Sequence, residues 1–146
     1  MFQAFFTDKL QRDLAFNLQW ADFLETKEDE LTDDIRLAAS KIINSHHIWN
    51  CRLRALAPES DLTDVMPQLH WKQLLQANSR ETILYLDDFS SEEKIRFHDS
   101  EGVQLEQLSV DLLFQLLQDN AFYRGQLALL CGNQSWDFNH SPIVLL

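Results

Sequence analysis

Apolar residues recur at three- and four-residue steps through most of the chain, a period that predicts helices rather than strands. Phe6, Leu10, Leu14, Asn17, Ala21 and Leu24 form one such stripe and predict a first helix from Phe5 to about Glu25. A second helix is predicted from Asp34 to Ala57, ending before Pro58, on Ile35, Ala39, Ile42, His46, Trp49, Leu53 and Leu56. A third runs from about Pro67 to Asp88 and carries Leu69, Trp71, Leu74, Leu75, Leu84 and Tyr85. Between the first two lies an acidic run, Thr26 to Asp34, without apolar periodicity. It reads as a solvated loop, with Asp33 or Thr32 as the N-cap of the next helix.

At Lys94-Ile95-Arg96-Phe97-His98 the period changes to strict alternation, the mark of a strand. Asp99-Ser100-Glu101-Gly102 then supplies a turn whose glycine can take positive φ, so a small hairpin is expected with a faint second strand. The last long helix is predicted from Leu105 to Leu130 and is closed by Gly132 and Asn133. Its seam reads Leu105, Leu108, Leu112, Gln115, Asp119, Phe122 and Gln126, with Leu116, Tyr123 and Leu127 beside it. The tail after it, ending in Ser141-Pro142-Ile143-Val144, is apolar enough to be expected to pack back on the body. The pattern as a whole predicts a mainly α four-helix bundle with a β-hairpin before the last long helix, in one domain over 1–146.

Composition supports that picture and narrows the partners. Only three Gly and three Pro leave little material for an all-β chain with many tight turns. A formal charge of -11, with no cluster of Lys and Arg, disfavours a nucleic-acid or anionic-membrane partner. No stretch reaches membrane-spanning length, and the N-terminus lacks the basic start and apolar run of a signal peptide. Cys51 and Cys131 lie in apolar helical stretches, which fits buried, unreactive thiols and a cytoplasmic location.

The chemistry-bearing residues sit on the second and last helices. Gln115, Asp119 and Tyr123 are successive i, i+4 neighbours, a polar ladder beside an apolar stripe. A carboxylate drawn out of water must be paired, hydrogen-bonded or protonated. Either this face lines a cavity, or a cation stands opposite Asp119, or the ladder is a solvated edge. His46 lies on the inward stripe of the second helix, where a packed, hydrogen-bonded core histidine is the simpler expectation. His47, His70, His98 and His140 have no partner at ligand spacing. Gly125 is expected to admit a neighbouring helix, and Arg124 to clamp an acidic neighbour or an anionic ligand.

Two stretches, Lys41-Ile-Ile-Asn-Ser-His-His-Ile-Trp-Asn-Cys-Arg-Leu53 and Asp111-Leu-Leu-Phe-Gln-Leu-Leu-Gln-Asp-Asn-Ala-Phe-Tyr-Arg-Gly-Gln126, resemble the signature segments of the DinB/YfiT-like family. Phe16-Asn17, Trp20-Ala21-Asp22 and the Ile95 to Gly102 hairpin agree with that family in order and spacing. The resemblance implies a four-helix bundle, a homodimer, and a site in which three histidines hold a divalent ion such as Zn or Ni for hydrolase-like or thiol-transferase-like chemistry. The register set by Trp49, Arg52 and Leu53, and by Arg124-Gly125-Gln126, puts Lys41, Asp119 and Tyr123 at the three ligand positions, with Gln115 at a further histidine position.

None of these is histidine, so no cofactor is expected, and a Lys41–Asp119 ion pair with Tyr123 nearby is predicted to take the metal's place. Gln115, His46, Trp49 and Gln126 are the candidate pocket-lining residues around it. The functional expectation is a metal-free DinB-like protein that binds a small molecule or serves as a structural or regulatory homodimer. The alternative is an enzyme working through Lys41, Asp119 and Tyr123, or through a metal held by His46, Asp119 and Tyr123.

Overall fold

In the computed structural model, residues 2–136 are described. The tail with His140 and Ser141 to Val144, and the packing expected of it, lies outside them. Four helices, α1 (Phe2–Glu25), α2 (Asp33–Leu53), α3 (Trp71–Asp87) and α4 (Ser109–Gly132), surround one interior, with strands β1 (Lys94–His98) and β2 (Gln104–Leu108) between α3 and α4. The predicted mainly helical bundle with a hairpin before the last helix is therefore observed.

Contacts fix how the helices run. The end of α1 meets the starts of α2 and α3, through Leu24, Ile35 and a Trp20–Trp71 edge contact at 5.7 Å. Its start meets α4 through Phe6 and Phe114, with ring centres 4.9 Å apart. Helices α1 and α4 thus run in one direction, and α2 and α3 in the other. Two parallel neighbours need a long return connection. Residues 54–70 provide it, laid back along α2. Asn44 holds it by donating to the carbonyls of Leu62 and Asp64, and Ser40 accepts the Met66 N–H at 2.8 Å.

Helix boundaries follow local chemistry. Thr32 is the N-cap of α2, its hydroxyl accepting from the Ile35 N–H at 3.2 Å. That helix stops at Leu53, short of the predicted Ala57, because Ala55 takes a left-handed φ of 55° and turns the chain into the crossover. Helix α3 starts at Trp71, after a single 3₁₀ turn at Gln68–His70, so the predicted Leu69 and Leu84 are solvent-facing rather than core. Residues 104–108 pair antiparallel with β1, with Phe97 opposite Leu105. They are a strand and not the first turn of α4, as the apolar periodicity had suggested. The turn between the strands closes as predicted, with Gly102 at φ 81° and the Asp99 carboxylate accepting from the N–H groups of Glu101 and Val103.

The core divides into two apolar layers. One, at the end where α1 meets α2, holds Trp20, Leu24, Ile35, Ile42, Trp71, Leu75, Leu127 and Cys131. The other, beneath the hairpin, holds Phe6, Leu10, Trp49, Leu53, Leu86, Ile95, Phe97, Leu112 and Leu116. Between them lies a layer that is almost wholly polar.

A buried polar layer at the candidate functional site

Each helix gives this layer two polar side chains four residues apart. They are Asp13 and Asn17 of α1, His46 and Asn50 of α2, Asn78 and Thr82 of α3, and Asn120 and Arg124 of α4, all buried. Residues at i and i+4 share a helical face, so the eight meet at one height in the bundle. Buried polar groups are tolerable only when hydrogen-bonded, and here they bond to one another.

The network begins at an ion pair. Arg124 Nη1 donates to Asp13 Oδ1 and, at 3.2 Å, to Asn17 Oδ1, while the Trp20 indole N–H reaches the same Asn17 oxygen at 3.0 Å. Asn120 Nδ2 donates to Asp13 Oδ2 at 2.8 Å and approaches His46 Nδ1 at 3.5 Å. On the other side of the ring, His46 Nε2 lies 2.8 Å from Thr82 Oγ1. Thr82 in turn donates to Asn50 Oδ1 at 2.6 Å, and Asn50 and Asn78 finish on the carbonyls of Asn78 and Ile43.

This order of donors fixes the state of His46. The single Thr82 hydroxyl proton has two carbonyl acceptors, Asn50 Oδ1 at 2.6 Å and the Asn78 backbone oxygen at 3.0 Å, so toward His46 Thr82 accepts from an Nε2–H. Asn120 then donates to a bare Nδ1. The ring is neutral. Burial pushes its pKa down to about 4, against the opposing pull of the Asp13 carboxylate. Within the layer, Asn120 Oδ1 and Arg124 Nε have no hydrogen-bond partner among the described residues.

The predicted site lies to one side of this layer. Along α4 the inward positions are Leu112, Leu116, Asn120, Arg124, Leu127 and Cys131. The Gln115–Asp119–Tyr123 ladder therefore falls on the flank, with Gln115 exposed and Asp119 and Tyr123 half-buried. Asp119 does need a partner, but the partner is not Lys41. Its carboxylate accepts from the Trp49 indole at 2.7 Å and from Gln115 Nε2 at 3.3 Å. Lys41 lies eight residues before Trp49, about 12 Å along the helix axis. No ion pair joins Lys41 to Asp119 among the described residues.

Tyr123 packs its ring against the apolar layer where α1 meets α2, and its phenol is pushed up in pKa by burial and then by Asp119. His46, the other member of the alternative metal set, has both nitrogens committed within the layer. Among the described residues no three His, Cys, Asp or Glu side chains stand together as a metal site. Gln126 is half-buried on the same helix as the ladder.

Other expectations resolve in detail. Arg124 clamps an acidic neighbour, Asp13. Gly125 does not receive a helix, since it is exposed and nothing lies within 4 Å of where a Cβ would stand. His47 ties the crossover to α2, accepting the Glu59 N–H at 3.1 Å. Cys51 and Cys131 are buried free thiols whose pKa values burial raises, Cys131 to about 12.

The altered geometry gives a direct test. Lys41→Met should change stability by no more than about 0.5 kcal/mol, as expected away from buried partners. Asp119→Leu should cost about 1–2 kcal/mol by leaving the Trp49 N–H without its acceptor. In urea melts the double mutant should equal the sum. A coupling above about 1 kcal/mol would restore the ion pair.

Among the described residues no helix is long and apolar enough to cross a membrane. Comparison with family models, curated proteins and solved structures finds no match for this chain.

Proposed function

We propose that this chain is a DinB-like bundle that works without a bound metal, as a small-molecule-binding protein or a structural or regulatory homodimer. The observation that carries this reading is the closed polar layer. Eight side chains from four helices use the bundle centre, where such folds often keep a ligand or metal site, to bind one another. The three positions that the family resemblance assigns to metal ligands hold Lys41, Asp119 and Tyr123, and Asp119 is already held by Trp49. The order of helices and the hairpin before α4 support the resemblance itself. The exposed Phe114, Phe122 and Leu129 on the outer side of α4 support a dimer face there. Two buried thiols and the absence of clustered basic residues support a cytoplasmic protein with no nucleic-acid partner.

Adding Zn, Ni, Mn or Fe(II) singly to protein purified without metal tests the reading. The melting temperature should not move, and sedimentation should show a dimer. An ion held at micromolar affinity would raise the melting temperature by several degrees at saturation and return the chain to the metal-dependent class.

A further inference from the structure

A cavity of about 390 Å³ lies between the end of α2, the crossover and β1. That size falls in the range of small-molecule sites. Its walls include Ile48, Leu56, Leu62 and Phe97, all apolar, and Arg52. The Arg52 guanidinium carbon lies 4.5 Å from the centre of the Trp49 ring and 5.4 Å from that of Phe97. Among the described residues it makes no ion pair and no side-chain hydrogen bond, in contrast to Arg124 and Arg96, which are both paired.

Neither nearby carboxylate forms an ion pair with Arg52 among the described residues. Asp119 takes the Trp49 indole, and one Asp99 oxygen takes two N–H groups of the hairpin turn. They act on Arg52 only at longer range, while burial opposes its charge. Of the remaining charged groups at the cavity, Arg96 is held by Glu106 at 2.7 Å, and Asp61 and His98 are exposed.

The Arg52 guanidinium lies over the Trp49 ring and beside Phe97, two rings that meet edge-on with centres 6.4 Å apart, and its N–H fork makes no ion pair or side-chain hydrogen bond among the described residues. That is the geometry that receives a carboxylate edge-on through two parallel hydrogen bonds. The geometry points to a binding site for a small organic carboxylate with an apolar body, the carboxylate on Arg52 and the body against Ile48, Leu56, Leu62 and Phe97. This assignment rests on the small-molecule-binding part of the proposed function and gives it a location and a ligand class. It does not depend on the metal question.

Titration of the ¹⁵N-labelled protein with benzoate tests it, with benzamide and inorganic phosphate as comparison probes. Benzoate should give saturable shifts of the Arg52 Nε–H and Trp49 indole signals. Binding should weaken at least tenfold in Arg52→Lys, which keeps the charge but lacks the planar fork, and vanish in Arg52→Met. Circular dichroism should confirm that both variants are folded. Benzamide binding as tightly as benzoate would overturn the assignment by showing apolar capture alone. So would phosphate binding in preference to benzoate, or benzoate shifts that persist in Arg52→Met. An unresponsive benzoate titration in a protein that also ignores metals would sink this site and leave the structural-homodimer reading intact.

Discussion

Arg124→Met is expected to destabilise the fold by about 3–5 kcal/mol, the usual cost of stranding one charge of a buried pair. The pair lies in the layer between two apolar clusters, with both side chains about 5% exposed, so little solvent reaches a charge left without its partner. Asp13 would keep the amide donors of Asn17 and Asn120 but lose the cation that pairs with it among the described residues. Asp13→Leu should cost a similar amount, since it strands the guanidinium and also removes the acceptor that orients Asn120. Because small domains are stable by only about 5–15 kcal/mol, either change consumes a large share of the total. The double variant Asp13→Leu/Arg124→Met removes both charges and should fall well short of the sum. Urea melts of the four proteins would show it. Simple additivity would mean that the two charges are solvated independently, and would refute a sealed layer.

The second large effect is acid sensitivity. His46 is neutral in the fold, with a pKa lowered from 6.5 to about 4. Above pH 6.5 the ring is neutral in both folded and unfolded chains and contributes no pH dependence. As pH falls below 6.5, the unfolded chain takes up a proton that the folded chain refuses, so stability is lost. The loss levels off near pH 4, where the folded ring also protonates. Over that window it amounts to roughly 3 kcal/mol, at about 1.4 kcal/mol per pK unit. His46→Gln can still donate to Thr82 but cannot titrate, so its stability should fall by correspondingly less over the same window. Equal slopes for the two proteins would contradict a neutral, sealed His46.

Several of these features can be seen in the sequence once their spacing is noticed. The helical stripes, the hairpin, the Thr32 cap and the inward position of His46 follow from periodicity and turn chemistry. Asp13 was harder to read, because it follows Arg12 and looks like part of a solvated surface. Yet the buried positions of α1 run Phe6, Leu10, Asp13, Asn17, Trp20 and Leu24, alternating steps of four and three, and Asp13 fits that rhythm. Helix α3 hides its inward face in the same way. Trp71, Leu75, Asn78, Thr82 and Leu86 are buried, but two polar residues mid-stripe let the exposed Leu69 and Leu84 look like the core.

On α4 the error was one of phase. Gln104 to Leu108 belongs to a strand, so extending the helix backwards through Leu105 rotated the seam toward Gln115 and Phe122. That rotation turns Asp119 inward, and the register of the family resemblance then places Lys41 opposite it. Only the three-dimensional arrangement reveals that Trp49 satisfies Asp119, because the two are 70 residues apart in the chain. The recurring i, i+4 polar pairs, one per helix, were the legible sign of where the interior chemistry lies.

The central claim is that the polar side chains of the bundle centre bind one another in a hydrogen-bonded network in which both nitrogens of a neutral His46 are engaged. Long-range ¹H–¹⁵N spectra of the imidazoles at neutral pH test it most directly. The expected spectrum is that of a neutral His46 ring protonated on Nε2, with a bare Nδ1 whose signal does not respond to stoichiometric Zn or Ni. An imidazolium, the opposite tautomer, or a metal-shifted Nδ1 would contradict it.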